Sequence, residues 1–161
     1  MKTSERDRTN EIYKKINLHE LPFLLKPQEL NNFGLDIANG LTKAMSGIGI
    51  NPALKWCLST VKKCKVFILV YQANVRGLPI YKEEIAKKLV EYSYKTIATI
   101  IDEGIQKNYY VPLEPSEHLD GKKITDKKVK NIRPSSDLVA AFYNWNIERI
   151  ALTANLIKKY K

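Results

Sequence analysis

Six cations fall within residues 121–133: Lys122, Lys123, Lys127, Lys128, Lys130 and Arg133, against one anion, Asp126. Ammonium and guanidinium groups at this density pair with phosphate oxygens, and each phosphate they neutralise releases a condensed counterion. The 161-residue chain carries a formal net charge of +10, so the run sits on a general surplus that suits a polyanionic partner. Other residue types with chemical potential do not combine. His19 and His118 are far apart, and Glu114, Glu117 and Asp120 around His118 read as a solvated acidic loop, so no metal site is expected. Cys57 and Cys64 lie seven apart, which on one continuous helix separates them by about 10 Å, too far for a disulfide. They read as two buried thiols, the alternative being a redox pair formed across a dimer. Gly47-x-Gly49 lacks the third glycine and the preceding strand of a dinucleotide loop. With no Ser-His-Asp set, phosphate loop or paired catalytic carboxylates, the sequence points to a binding protein without a cofactor rather than an enzyme.

The elements that must position the basic run can be read from spacing and punctuation. Residues 1–10 are polar and expected to be a disordered tail, and Leu18 to Leu25, broken by Pro22, an extended arm. Pro27 opens a helix whose Leu30, Phe33, Ile37, Leu41 and Met45 recur at steps of three and four, and Gly47 and Gly49 are expected to stop it. Asn51-Pro52 starts a helix of about 22 residues that ends near Arg76-Gly77. Val66 to Tyr71 within it is β-branched enough for a strand, but a buried helix fits better because no turn residue precedes it.

A third group of elements carries the recognition chemistry. Tyr81 to Leu89 predicts a short helix with Ile85, Ala86 and Leu89 inward. Val90 to Ser93 makes a turn, and Ser93 caps a second helix running from Tyr94 to about Lys107 with Ile97, Ile100, Ile101 and Ile105 inward. Its other face offers Tyr94, Lys95, Ala98, Thr99 and Asp102, residue types that suit the edge of a major groove. Tyr109 to Leu113 and Ile124 to Ile132 read as two strands about a turn at Asp120-Gly121. Short helix, turn, longer helix and basic hairpin make a winged helix. The candidate DNA contacts are Tyr81, Lys82, Ser93, Tyr94, Lys95, Thr96 and Thr99, together with Lys122, Lys123, Lys127, Lys128, Lys130 and Arg133 of the wing.

From about Asn51 to Trp145 the chain resembles the winged-helix transcriptional regulators of the MarR type. The resemblance is carried by Glu84-Ile85-Ala86-Lys87-Lys88-Leu89, by Tyr94-Lys95-Thr96-Ile97-Ala98-Thr99-Ile100-Ile101 and by Asp126-Lys127-Lys128-Val129-Lys130-Asn131-Ile132-Arg133-Pro134-Ser135. It implies a homodimer, built from N- and C-terminal helices, on pseudo-palindromic double-stranded DNA. The family's wing carries Asp-x-Arg, whose arginine enters the minor groove. Asp126-Lys127-Lys128 stands here instead, which favours contact with phosphates.

The closing segment, Ser136 to Tyr160, is apolar enough to bury two flanks. Leu138, Phe142, Trp145, Leu152 and Leu156 from this segment, with Leu30, Phe33, Ile37 and Leu41, are the expected dimer interface. The expectation is therefore a mostly α fold with a small β-hairpin wing (α+β), a winged helix-turn-helix flanked by dimerisation helices. Its parts are the tail (1–10), an N-terminal arm and helix (11–50), the winged helix (51–134) and a C-terminal helix (135–161). The place to look for a small-molecule effector is between the dimer helices and the recognition unit. No apolar run of about 18 residues and no signal peptide are present, so a cytoplasmic, nucleoid-associated protein with no membrane partner is expected. The rival reading is a winged-helix module that contacts protein, its lysines serving only solubility.

Overall fold

The computed structural model describes residues 4–113 and 131–161. Its elements are α1 (Glu5–Lys15), α2 (Leu30–Ile50), α3 (Pro52–Cys57), α4 (Val61–Val75), α5 (Lys82–Lys88), α6 (Tyr94–Gln106), β1 (Tyr110–Leu113), β2 (Asn131–Pro134) and α7 (Ser136–Tyr160). Two 3-10 turns lie at Leu18–Glu20 and Pro27–Glu29. The chain is thus mostly helical with one small sheet, as the periodicities predict. β1 and β2 pair antiparallel, Tyr110 opposite Pro134 and Leu113 opposite Asn131. By contact the chain divides into two units, residues 1–47 with 144–161, and residues 48–143, the divisions falling inside α2 and α7.

In the first unit, Ser4 caps α1 by accepting from the Asp7 amide. Residues 5–10, expected as disordered tail, are therefore helical: the cap satisfies an otherwise orphan donor and Lys15 pairs with Glu11 one turn away. Leu18 to Leu25 is not a plain extended arm but a 3-10 turn followed by bends, anchored where the Tyr13 hydroxyl donates to the Leu25 carbonyl at 2.6 Å. Gly47 and Gly49 do not stop α2, which runs on to Ile50. The end is set instead by Pro52, which pushes Asn51 into extended backbone (φ −103°, ψ 117°). Phe23, Phe33 and Tyr160 form an aromatic cluster with centroids 5.3–5.9 Å apart. Asp36 accepts from Lys159 Nζ at 2.7 Å and from the Tyr160 hydroxyl at 2.6 Å, and these two hydrogen bonds hold its carboxyl below its usual range.

The second unit holds the main core, where Cys57, Phe67, Ile85, Ile97, Tyr110 and Leu138 are buried with their neighbours. The single helix expected over 52–76 is two, α3 and α4. Ser59 Oγ donates to the Trp56 carbonyl at 2.7 Å, and Thr60 caps α4 by accepting from the Lys63 amide at 3.2 Å. Short hydroxyl side chains thus replace helix bonds at the break. Val66 to Tyr71 is helical, as its continuity with α4 requires.

Helices α4 and α6 end alike. Gly77 (φ 65°) and Asn108 (φ 59°) take the left-handed conformation. Behind them Leu78 N donates to Ala73 O, and Tyr109 N to Gly104 O, bonds that satisfy carbonyls a helix end otherwise leaves orphaned. The second of these turns brings Tyr110 back onto its own helix. A Cβ on Gly104 would lie 2.3 Å from Tyr110 Cδ2, 2.7 Å from its Cε2 and 3.2 Å from Trp56. Tyr110 is 1% exposed and has no room to yield. Gly104→Ala therefore sets overpacking strain of about 1–3 kcal/mol or more against a helix-propensity gain of about 1 kcal/mol. With both ring contacts inside van der Waals distance, the strain dominates. A lowered urea midpoint for G104A is the expected result, and an unchanged or raised midpoint would show that the ring can move aside.

Candidate nucleic-acid interface

Helix α5 is short, and its Ile85 and Leu89 are buried against α6. The connection turns at Leu89 to Tyr92, where Tyr92 N donates to Leu89 O at 3.0 Å. Ser93 then caps α6 by accepting from the Thr96 amide at 3.1 Å. The apolar stripe of α6 buries Ile97, Ile100, Ile101 and Gly104. Tyr94, Lys95, Thr99 and Asp102 are thereby left on the exposed side, and Ala98 is half-buried.

Of the residues that the sequence nominates for DNA contact, Lys95 is exposed at the start of α6, with Tyr94 beside it, 50% exposed. The Tyr94 hydroxyl donates to Glu83 Oε1 at 3.2 Å, and burial together with that carboxylate raises its pKa. Lys82 is half-buried and ion-paired with Asp102, so its charge is partly committed within the face. Tyr81 precedes α5 at its cap position without a capping side-chain bond. Ser93 and Thr96 serve the helix start, their hydroxyls 2.9 Å apart, while Thr99 Oγ1 donates to the Lys95 carbonyl at 2.8 Å. Arg133 is exposed on β2, opposite Val111. Lys122, Lys123, Lys127, Lys128 and Lys130, with the turn at Asp120-Gly121 and the expected strand start at Ile124, lie outside the described residues.

One residue that decides this geometry has no obvious mark in the sequence. Asn131 is 5% exposed, and its Oδ1 accepts from the Ile80 amide at 2.7 Å. Beside it, Ile132 N donates to Ile80 O at 3.0 Å. The segment entering α5 is therefore tied to β2 by one backbone and one side-chain hydrogen bond. In the sequence Asn131 stands inside the basic run as an unremarkable polar residue. Only its spacing from Pro79-Ile80, unknowable without the fold, distinguishes it from a turn asparagine.

The remaining candidates sort by burial. Leu138, expected at a dimer interface, is wholly buried in this chain's own core, because α7 begins by packing on the sheet and α4. Phe142 meets the Phe67 and Tyr71 rings at centroid distances of 5.2 and 5.1 Å. Trp145 donates from its indole to Ala44 O at 2.9 Å, and Phe33 sits in the aromatic cluster with Phe23 and Tyr160. Leu152 and Leu156 line a cleft of about 480 Å³ with Ile37 and Leu41 of α2, and Leu30 is half-buried at the start of α2. Ile37 and Leu41 are the exposed members of the expected set.

Cys57 is fully buried and Cys64 half-buried, and both are free thiols. Burial pushes the Cys57 thiol up to about 12, and desolvation, with Cys57 beside it, holds Tyr110 well above the usual phenol range. Among the described residues no group of three or more His, Cys, Asp or Glu is placed to hold a metal ion. No described helix is long and apolar enough to cross a membrane. No family model matches the chain, and neither the curated proteins nor the solved structures include a match.

Three outcomes follow from this geometry. Asn131→Ala leaves the buried Ile80 N–H without its acceptor and should cost about 1–3 kcal/mol, read as a lowered denaturation midpoint. Full retention of stability would mean that water replaces the side chain. Cys57 has a folded pKa raised above its unfolded one, so its contribution is complete below an unfolded thiol value near 9.0 and is lost as pH rises through about 12, and Tyr110, raised in the same direction by burial, adds to the loss above its unfolded phenol value of 10.0. Denaturation midpoints should fall across that alkaline window. At neutral pH a thiol reagent should label Cys57 only on unfolding; prompt labelling of both cysteines in the native chain would contradict the burial.

Proposed function

We propose that this chain is a winged-helix protein that binds double-stranded DNA as a dimeric transcriptional regulator of the MarR type. The observation that carries the reading is the Ile80 junction: a segment hydrogen-bonded to Asn131 and Ile132 of β2, leading into α5, a tight turn, the capped helix α6 and then β1 and β2. In that arrangement α6 is the recognition helix and the β1–β2 connection is the wing. Each part alone is common, whereas their order and the tie from Ile80 to β2 together fit a winged helix.

The roles then divide by chemistry. Tyr94, Lys95 and Thr99, exposed at the start of α6, face the major groove and supply what base discrimination there is. Ser93 and Thr96 secure the helix start whose amides point at the backbone. Tyr81, Lys82 and Arg133 flank this helix, and the lysines of 122–130 neutralise phosphates from the wing. A two-fold dimer places two recognition helices about 34 Å apart, one turn of DNA, to read a pseudo-palindrome. Such a protein acts in the cytoplasm, on the nucleoid, as a binder rather than an enzyme.

One observation favours the rival, a module that contacts protein. Within the described part of the face, Asp102 is paired with Lys82 and Glu83 adds a second carboxylate against Lys95 and Arg133, so the face carries little net charge. A single titration separates the two. Fluorescence anisotropy on mixed-sequence duplex DNA, repeated across a salt series, should show binding whose logarithm falls linearly with log salt. The triple variant K127A/K128A/K130A should weaken binding to every sequence and flatten the slope by about 0.9 for each phosphate no longer neutralised. Alanine at Tyr94 or Thr99 should instead change the preference between sequences. No binding at low salt would sink the DNA reading and leave the protein-contact module.

A further inference from the structure

Within the first unit, α2 and α7 are tied together at two places. The Trp145 indole donates to the Ala44 carbonyl, and Lys159 and Tyr160 both donate to Asp36. Residue 44 therefore faces 145 and residue 36 faces 159–160, so the two helices run antiparallel. Between the ties they enclose a cleft of about 480 Å³, lined by residues 36–44 of α2 and 149–159 of α7, all of the first unit. That volume falls in the range of small-molecule pockets, about 300–1,000 Å³. At about 1.5 Å of rise per residue the two lined stretches are about 12 and 15 Å long.

The chemistry along the cleft is ordered. Its middle is apolar, with Ile37 and Leu41 from α2 and Leu152 and Leu156 from α7. Ile37 and Leu41 stay 39% and 57% exposed, so the pairing of the helices leaves them uncovered. Gly40 lies between them, and a Cβ there would meet nothing within 4 Å, so the missing side chain leaves the floor open. At one end Asp36 and Lys159 neutralise each other. At the other stand Lys43 and Arg149, both exposed, the guanidinium held over the Trp145 ring at 4.6 Å from its centroid. Among the described residues neither cation forms an ion pair with a carboxylate. Glu148, the one acid between Trp145 and Tyr160, sets its carboxylate against Gly47, outside the lining.

An apolar trough that ends in two cations without counter-ions is complementary to a molecule with an apolar body and one anionic head. A cationic or neutral amphiphile would leave Lys43 and Arg149 unmatched. A second copy laid in the cleft across a two-fold axis would bring these cations onto their own copies. We propose that the α2–α7 cleft binds a free carboxylate carrying a medium-length alkyl chain. Lys43 and Arg149 hold the carboxylate, the arginine fork through charge-assisted hydrogen bonds. The chain lies along Ile37, Gly40, Leu41, Leu152 and Leu156 toward the Asp36–Lys159 pair, whose mutual neutralisation gives that end no claim on the anionic head. Every lining residue belongs to the first unit, so the site does not rest on the DNA-binding reading.

Isothermal titration calorimetry of the full chain with decanoate, kept below its micellar concentration, tests it. Binding should saturate at one site per chain, with decyltrimethylammonium and decanol weaker by about tenfold or more. The double variant K43Q/R149Q should weaken decanoate by about tenfold and leave the weaker binding of decanol unchanged. Gly40→Leu should fill the cleft and abolish binding, while the helicity and the urea midpoint stay at or above those of the wild type, since leucine is the better helix former. Absence of saturable decanoate binding overturns the proposal, as does equal binding of all three amphiphiles or full affinity in K43Q/R149Q. Binding that needs anionic lipid vesicles in place of monomeric decanoate overturns it too. So does a wild-type dimer that Gly40→Leu turns into a monomer in sedimentation equilibrium, because a second copy would then occupy the cleft. No DNA is present in these titrations, so their failure leaves the proposed function standing, and a chain that ignores DNA leaves this site standing.

Discussion

The Tyr110 ring fills the space that a side chain on Gly104 would occupy, and the rest of the 48–143 unit depends on that contact. Asn108 must take a positive φ to turn the chain back, and the turn satisfies the last carbonyls of α6 while aiming the ring at the helix. Trp56 closes over the same place, its ring centroid 5.9 Å from that of Tyr110, and its indole donates to Glu103 at 2.6 Å. β1 therefore starts from a fixed point on α6. β2 is paired to β1 and bonded to Ile80, and Ile80 leads into α5. The loop of constraints closes: α6 to Tyr110, β1 to β2, Ile80 to α5, and α5 back onto α6. The exposed side of α6 is thereby presented at a set angle, with Tyr94, Lys95 and Thr99 on rigid backbone.

That rigidity has an electrostatic counterpart. Lys82 with Asp102, Lys65 with Glu91 and Lys63 with Glu103 pair ions around α6. Lys65 and Glu91 are exposed and the other two pairs are partly open to solvent, which screens them and leaves them worth little to stability. Their effect is on what the surface can attract. A face whose lysines already have carboxylate neighbours contributes little net field, so long-range attraction of a polyanion would fall to exposed cations outside these pairs, such as Lys95, Lys107 and Arg133, and to the basic run. On the DNA-binding proposal, shape and charge fall to different elements, the helix supplying the first and the basic run the second.

Much of this was legible from residue spacing because each feature is local. The α6 stripe follows from Ile97, Ile100 and Ile101, its start from Ser93 and its end from Asn108, all within one short window. The misread elements are those where two local signals compete or where the deciding partner is remote. Ser59 and Thr60 look like tolerable helix residues until their hydroxyls take the backbone bonds. Gly47 and Gly49 look like a stop, yet the stop is Pro52, acting through Asn51. Asn131 and Gly104 matter only through Ile80 and Tyr110, and no periodicity announces either pair.

The two stripes of α7 illustrate the same limit in a more consequential form. Leu138, Phe142, Trp145, Leu152 and Leu156 and the row Ile147, Ile150, Ala154 and Ile157 have the same helical spacing, so sequence alone does not say which one the chain keeps for itself. The structure divides them: Leu138 is sealed in the core, and Trp145 is tied to the Ala44 carbonyl. What is left over is an uncharged isoleucine row on a chain otherwise rich in lysine. Its apolar content therefore exceeds what the faces packed within the chain use, a surplus that a single-stripe reading of the sequence does not separate from the core.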